Sequence, residues 1–464
     1  MWTLAESLSS KVLSLTAQLI LAWELSESEM GVANQAVMAA SFLFLANAAA
    51  VSDLLTARTK GFRRWARVGN QLSLYSGLGS FLLVMALGPL VAMLYAPEDQ
   101  TLTWYLSLLA VAALRMLFYT LACATHAQLR VDFRFRAISL VHFLSNVFLA
   151  GGSLLLALLD AGSFALVGGL TIGAVVRWIG FWWFAGAKVK QAPRSPPVKL
   201  LFSGLGWLLA AQYIATVAAT SGVLILGLYA DASEVGIYAV AFNLSYQVTV
   251  LFSFGLGQVL QPVLGVLSSD SDRQAGAFIR ASGVILLLAI PLCLIQAALS
   301  EPLLRFAFPE RWLPSAWPLL ILSAAQAMAI SQGPTLAMLK AQRRFRILCL
   351  WQGAQTLAYI TLLVVLCPMG GAMGASVARL VQFTVFGPIG IWLAIRVSPK
   401  YGWSEVAFMH VRPALIGLGL GVAAWWSSTL FPATRLGALA ALMITGFGSV
   451  AAMWVLFRFF TPKR

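Results

Sequence analysis

Leu129-Arg130-Val131-Asp132-Phe133-Arg134-Phe135-Arg136 and Leu339-Lys340-Ala341-Gln342-Arg343-Arg344-Phe345-Arg346 are one pattern written twice, 210 residues apart. Each run closes an apolar stretch of about twenty residues, Leu102–Ala124 in the first case and Pro318–Leu339 in the second. A basic turn after a stretch of that length marks the return of a spanning helix to the face of a membrane that retains lysine and arginine. Three further matches keep the same order. Ser28-Glu29-Met30-Gly31 pairs with Ser233-Glu234-Val235-Gly236, and Pro97-Glu98 pairs with Pro309-Glu310. Gly168-Gly169 with Arg177 pairs with Gly370-Gly371 and Arg379, so that all four separations lie between 202 and 212 residues. Ordered matches at nearly one separation read as an internal duplication.

Hydrophobic residues make up 60% of the 464 and charged residues only 10%, with a mean hydropathy of +0.86. A dissolved domain carries about 25% charge, so the chain is predicted to be an all-α, polytopic membrane protein. Apolar stretches long enough to span number about fourteen, from Leu4–Trp23 to Leu436–Phe457. Each duplicated unit holds six of them. An even number returns the chain to its starting face, so the lobes are expected to be related by a pseudo-twofold axis along the membrane normal. The predicted organisation is an N-terminal six-helix lobe over residues 1–190, a C-terminal six-helix lobe over 199–397, and two extra transmembrane helices over 411–460. The seam between lobes, Lys188 to Lys199, contains Pro193, Pro196 and Pro197. Every other connection is short, which places the expected function inside the bilayer.

Charge orients the chain. Of 31 basic residues, 24 fall after even-numbered spans, while Arg305, Arg311 and Arg435 alone occupy the odd-numbered connections. Glu24, Glu27, Glu29, Glu98, Asp99, Asp160, Asp231, Glu234, Glu301 and Glu310 lie on that second side. Both termini are therefore predicted to be cytoplasmic in a multi-pass bacterial inner-membrane protein. The net charge of +15 is distributed by topology, which argues against a nucleic-acid partner. Cys123, Cys293, Cys349 and Cys367 form no Cys-x-x-Cys pair and read as packing residues, with no metal site indicated. The first span carries Glu6 and Lys11 and no basic leader, so it is expected to be retained.

Ionisable groups at membrane depth are costly, and Lys11, Asp53, Arg115, Arg177 and Arg379 qualify. Arg115 and Arg379 lie about 12 and 8 residues from their outer helix ends, roughly 18 and 12 Å deep. Arg115 has no counterpart in the duplication and is the candidate for contacting substrate. Arg177 and Arg379 read either as duplicated structural ties or as ligands; Asp53, five residues before Arg58, reads either as an interfacial ion pair or as a coupling residue. Amides need partners outside their own helix, whereas hydroxyls bond their own helix carbonyls. Gln18 in span one, Gln212 in span seven and Asn243 and Gln247 in span eight therefore line either a hydrated cavity or a dry, hydrogen-bonded interface. Within-span prolines gather in the second half at Pro262, Pro291, Pro318, Pro334 and Pro388, against Pro89 in the first, and each permits a bend. His126 and His410 are expected to be solvated, His142 is either a proton site or an interhelical hydrogen-bonding residue, and Asp270-Ser271-Asp272 reads as a solvated turn.

With these residues in view, Leu129–Arg136, Ala230–Tyr238 and Phe308-Pro309-Glu310-Arg311-Trp312 resemble bacterial oligosaccharide (Wzx-type) flippases. These are polysaccharide transporters of the multidrug/oligosaccharidyl-lipid/polysaccharide exporter superfamily. The resemblance runs from about Leu19 through Arg396, on soft patterns of turn and charge residues. It implies alternating-access movement of an undecaprenyl-diphosphate-linked oligosaccharide repeat to the periplasmic leaflet, for O-antigen, capsule or exopolysaccharide synthesis, through a cavity lined by helices one, two, seven and eight. The partners it implies are the polyprenyl-linked glycan, membrane lipids, and a polysaccharide polymerase and chain-length regulator. No cofactor is expected; proton or sodium coupling is open. Relatives often carry Arg where this chain has Trp23 and Leu228, and Asp where it has Gly222, leaving Lys11 and Arg115 to supply positive charge. The alternatives are a drug/cation antiporter of the same superfamily, which needs a buried carboxylate, and an integral-membrane polymerase or glycosyltransferase, which needs substantial outer loops. The chain is read as a transporter and not an enzyme.

Overall fold

The computed structural model describes residues 13, 15–44, 62–97, 100–185, 206–432, 434–449 and 451, with the side chains of 62–68, 250–259 and 262 excepted. Among these residues there are helices and turns and no strand. Residues 15–24 are helical. The helices that follow are α1 (Glu27–Leu43), α2 (Phe62–Tyr95), α3 (Leu102–Leu121), α4 (Cys123–Val131), α5 (Phe135–Leu158), α6 (Ser163–Ala185) and α7 (Gly206–Leu226). Then come α8 (Ala232–Val266), α9 (Ser271–Ala298), α10 (Ser300–Ala307), α11 (Ala316–Ala329), α12 (Gln332–Ala341), α13 (Phe345–Ile395), α14 (Trp403–Ser428) and α15 (Arg435–Ala441).

Nine helices among the described residues are long and apolar enough to cross a membrane. At 51 residues α13 would be about 76 Å long, more than twice the hydrocarbon thickness. It breaks at Gly370 and Gly371, where Gly371 has φ 48°, so it supplies two spans, as its apolar pattern predicts. Leu82, Met93, Leu415 and Val422 are all exposed. Such surfaces would aggregate in water and are what lipid meets in a bilayer. The chain is a multi-pass, all-helical membrane protein.

The duplicated eight-residue runs fold alike. In the first, Arg134 N–H donates to the Leu129 carbonyl at 2.9 Å and Phe133 N–H to that of Arg130 at 3.2 Å. In the second, Arg344 N–H donates to Leu339 and Arg343 N–H to Lys340, both at 3.0 Å. Phe133 and Arg343 share a φ of 54°. This is the left-handed cap that turns a helix end back on itself, here without the usual glycine. The helices before each turn also break alike, at Ala122 between α3 and α4 and at Ile330–Ser331 between α11 and α12.

The helix starts repeat too. Ser26 Oγ accepts from Glu29 N–H at 3.2 Å and Ser26 N–H donates to the Glu29 carboxylate at 2.9 Å, a reciprocal cap. At the matching site Asp231 Oδ1 accepts from Glu234 N–H at 2.8 Å. The glycines that follow, Gly31 and Gly236, meet each other across the crossing of α1 with the start of α8. A Cβ at Gly31 would lie 1.7 Å from the Ala232 carbonyl oxygen, and one at Gly236 would lie 2.0 Å from that of Glu27. The contact is reciprocal, residue for residue: position 31 meets 232 as position 236 meets 27.

One sequence match dissolves. Gly168 and Gly169 lie inside α6, whereas Gly370 and Gly371 form the break in α13. The turn that corresponds to the break is Asp160–Gly162, with φ of 53° at both ends. Arg177 lies 15 residues after Gly162 and Arg379 8 after Gly371, a difference of roughly 10 Å along their helices.

The chain divides into two compact units, Met1–Gly236 and Ile237–Arg464. In the first, α5 packs on α6, and α3 packs on α1, α2 and α6, while α7 lies against α1. Its core sets Tyr105, Leu108, Leu109 and Ala112 against Ala33, Ala36 and Ala40; small residues bring the backbones close. In the second, α9 packs on α14 and α11, and α13 on α11 and α12. Gly417 and Gly421 of α14 admit Pro291 and Leu294 of α9. Pro318 and Pro334 are not kinks. They occupy first turns of α11 and α12, where no hydrogen bond is lost. Pro291 and Pro388 are within helices, as expected.

Candidate functional site

In the first unit, α3 and α6 bring Arg115 and Arg177 together. Arg115 lies 13 residues into α3, about 20 Å from its start and near the middle of the Leu102–Val131 span. Arg177 donates to the Tyr119 hydroxyl and, at 3.3 Å, to Ser145 Oγ of α5, with its guanidinium 4.8 Å from the Tyr119 ring centre. Arg115 stands one turn before Tyr119 and within electrostatic reach of both Tyr119 and Arg177. Among the described residues Arg115 has no hydrogen bond or ion pair, and Arg177 Nε is buried without an acceptor. The described acids all sit at helix ends or in connections. Two neighbouring guanidiniums with unused donors and no described carboxylate beside them have the chemistry to hold an anion. The sequence reading had singled out both residues but not their pairing.

The second unit holds a longer polar seam. Arg379, only 3% exposed, lies 3.9 Å from the Tyr359 ring centre, with Phe383 and Phe242 at 5.4 and 5.6 Å. It donates to Gln382 Oε1 at 3.1 Å. Beside it α8 stacks Tyr238, Phe242 and Tyr246 in a ladder with 6.1–6.2 Å spacing. Aromatic faces receive the cation, so this arginine is held by packing as well as hydrogen bonding. Gln332 donates to Gln355 at 2.8 Å and Gln355 to Gln352 at 2.6 Å. Thr249 donates to Gln326 at 3.0 Å. These glutamines escaped the sequence reading. Amides recurring in spans ten to twelve were a usable signal, by the reasoning applied to spans seven and eight.

The remaining candidates are dispersed. Lys11 and Asp53 lie outside the described residues. Gln18 is half-buried, with Nε2 lacking an acceptor. Gln212 is half-buried in α7, its carbonyl accepting from Thr216 at 3.2 Å. Asn243 and Gln247 are successive half-buried turns of α8, and Gln247 Oε1 has no donor. Thr216, Thr220 and Ser221 do bond their own helix carbonyls, whereas Tyr213 reaches across to the Phe42 carbonyl at 3.1 Å. Trp23 and Leu228 are 45% and 49% exposed, and Gly222 is buried in α7.

The histidines differ from expectation. His126 stacks on Phe181 at 4.9 Å and lies 5.8 Å from His142, and His410 is buried with Nδ1 against the Val406 carbonyl. His126 is half-buried and His410 buried, because the helices pack beyond their apolar stretches. Asp270 caps α9 by accepting from the backbone N–H groups of Asp272 and Arg273, and Asp272 pairs with Lys400 at 2.7 Å. The four cysteines are buried and none is in a disulfide. Phe308 and Trp312 are buried anchors.

Similarity to known proteins follows the architecture. The Lipid II flippase MurJ, in its inward closed conformation, superposes with a TM-score of 0.77 over 98% of both chains at 15% identity. An inward-facing multidrug resistance MATE family transporter of the MOP superfamily gives 0.60 over 88% of this chain and 95% of that one at 14% identity. At such identities the likeness speaks for the fold, that of the two-lobe transporters. In sequence, the succinoglycan biosynthesis transport protein ExoT of Rhizobium meliloti is 28% identical over 68% of this chain, which spans only 61% of ExoT's length. The teichuronic acid biosynthesis protein TuaB of Bacillus subtilis is 20% identical over 76% of this chain and 72% of its own. The profile of one family matches residues 20–317, well over half of the chain, and by that match the chain belongs to the polysaccharide biosynthesis protein family.

Proposed function

We propose that this protein is a flippase. It moves an undecaprenyl-diphosphate-linked oligosaccharide repeat from the cytoplasmic to the periplasmic leaflet of the bacterial inner membrane by alternating access, for surface polysaccharide synthesis. The observation that carries the reading is the Arg115–Arg177 pair, unneutralised by any described carboxylate and set deep in a spanning helix pair. A diphosphate is too costly to bury bare in hydrocarbon, and a half-buried guanidinium pair at membrane depth lowers that cost. A succinoglycan transport protein among its sequence relatives and a Lipid II flippase of the same fold support a transporter of lipid-linked glycan and no enzyme.

The excess of lysine and arginine after even-numbered spans supports cytoplasmic termini. Substrate contacts are proposed at Lys11, Gln18, Arg115, Gln212, Asn243 and Gln247, with Arg177 serving both as a structural tie and as the second cation beside Arg115, and structural or coupling roles at Asp53 and Arg379. A proton or sodium gradient is proposed to drive the cycle, and a polymerase and chain-length regulator to consume the product. A drug/cation antiporter would want a carboxylate at membrane depth, which no described residue provides. Deleting the gene, with no redundant copy present, is expected to abolish one surface polysaccharide and accumulate its lipid-linked repeat inside. Unchanged polysaccharide in that strain refutes the proposal.

A further inference from the structure

A cavity of about 330 Å³ opens in the second unit, lined by none of the candidate site residues above. It is lined by α10, the last turn of α9, the start of α11, the end of α14, the turn into α15 and α15 itself. Two tryptophans line it, Trp317 at 65% exposure and Trp425 at 57%. Glu301 and Arg305 line it too, joined by two hydrogen bonds of 2.9 and 2.7 Å from the guanidinium to Glu301 Oε1. Ser300, Ser428 and Thr429 contribute to the rim.

We propose that this cavity binds a sugar ring. Sugar recognition needs an aromatic face for the C–H side of the ring and fixed polar groups for its hydroxyls. Trp317 and Trp425 are amphipathic platforms with much of their surface uncovered. The Glu301–Arg305 pair is one helical turn long and already formed, so its unused donors and second carboxylate oxygen are held in place before a ligand arrives. The pair also decides between ligand classes. Its charges cancel and no other charged residue lines the cavity, so a phosphate headgroup meets no net attraction and one repelling carboxylate. A neutral polyhydroxylated ligand meets both a donor and an acceptor. The volume lies at the lower end of small-molecule pockets, roughly 300–1,000 Å³, which suits one or two sugar rings.

The inference rests on the flippase reading for the source of the sugar, the transported glycan. The positive-inside asymmetry puts both connections on the outer face, where an emerging glycan would be received. The two extra C-terminal helices thereby gain a role that the duplicated lobes do not explain.

The test uses the whole protein in nanodiscs and saturation-transfer NMR with glucose, galactose, rhamnose, N-acetylglucosamine and their disaccharides, and with glycerol phosphate. At least one sugar is expected to give a signal that Trp317→Ala and Glu301→Gln each weaken about tenfold, and that Gly79→Ala, where a Cβ meets open space, leaves intact. Both positions are exposed, so folding should survive; the thermal transition of each variant checks it. No sugar signal, or one indifferent to Trp317 and Glu301, overturns the inference, and so does a Trp317-dependent signal from glycerol phosphate alone. The two readings fail separately. Absent sugar binding beside Arg115-dependent export removes only the cavity, and unchanged polysaccharide on gene deletion removes only the flippase.

Discussion

Replacing Gly31 by alanine tests the duplicated helix crossing. The added Cβ would stand 1.7 Å from the Ala232 carbonyl oxygen, 2.8 Å from its carbon and 3.0 Å from Gly236 N. A carbon and a carbonyl oxygen approach to about 3.3 Å at closest. The helices must therefore part by more than 1 Å, and the obstacle is backbone that no rotamer change can relieve. Overpacking of that kind costs about 1–3 kcal/mol. Alanine returns up to about 1 kcal/mol of helix propensity, leaving a net loss of roughly 1–2 kcal/mol. Gly236→Ala should cost a similar amount, since its Cβ would meet the Glu27 carbonyl oxygen at 2.0 Å. Once one variant has spread the crossing, the second should add little. Gly79 is the control: nothing lies within 4 Å of its Cβ position, so Gly79→Ala should be neutral or stabilising. Thermal unfolding of the purified proteins in one detergent measures all four. If Gly31→Ala unfolds no earlier than Gly79→Ala, or if the two crossing variants add fully, the reciprocal crossing is wrong.

Phe133→Gly removes a non-glycine residue from the left-handed cap at little packing cost, since Phe133 is 78% exposed. It should raise stability by up to about 1 kcal/mol, read by the same unfolding assay. Arg379→Lys keeps the charge but loses the planar face against Tyr359 and should destabilise by about 1–2 kcal/mol, whereas Arg379→Met, which removes the buried charge at similar bulk, should do less harm. Gln355→Leu strands Gln332 Nε2 and Gln352 Oε1 together. A loss of about 1–3 kcal/mol for each stranded group is expected, visible as early unfolding.

How much of this was legible beforehand follows from what each signal depends on. Apolar runs and basic turns are local, so the spans and the repeated cap were readable, down to the separation of α13 into two spans at Gly370 and Gly371. The Gly31–Gly236 contact was half legible. The sequence matched the two sites, but only three dimensions set them against each other. Arg115 stood out by its cost at depth, yet its neighbour Arg177 comes from another helix 62 residues on. The glutamine seam shows the opposite failure. Gln352 and Gln355 share a helix face in plain sequence, but their worth depends on Gln332 facing them. His126 and His410 were misjudged because span ends were placed where the apolar runs stopped, while the helices continue and pack beyond them.

The most direct measurement is flipping itself. Purified protein is reconstituted in vesicles with a fluorescent polyprenyl-diphosphate-linked oligosaccharide, and exposure of the glycan to an external glycosidase is followed with time. Wild-type vesicles should expose the inner pool, and Arg115→Ala should slow that exposure tenfold or more, as removing a charge-assisted anion contact of about 1.5–3 kcal/mol requires. Equal rates for wild type, Arg115→Ala and protein-free vesicles would contradict the account.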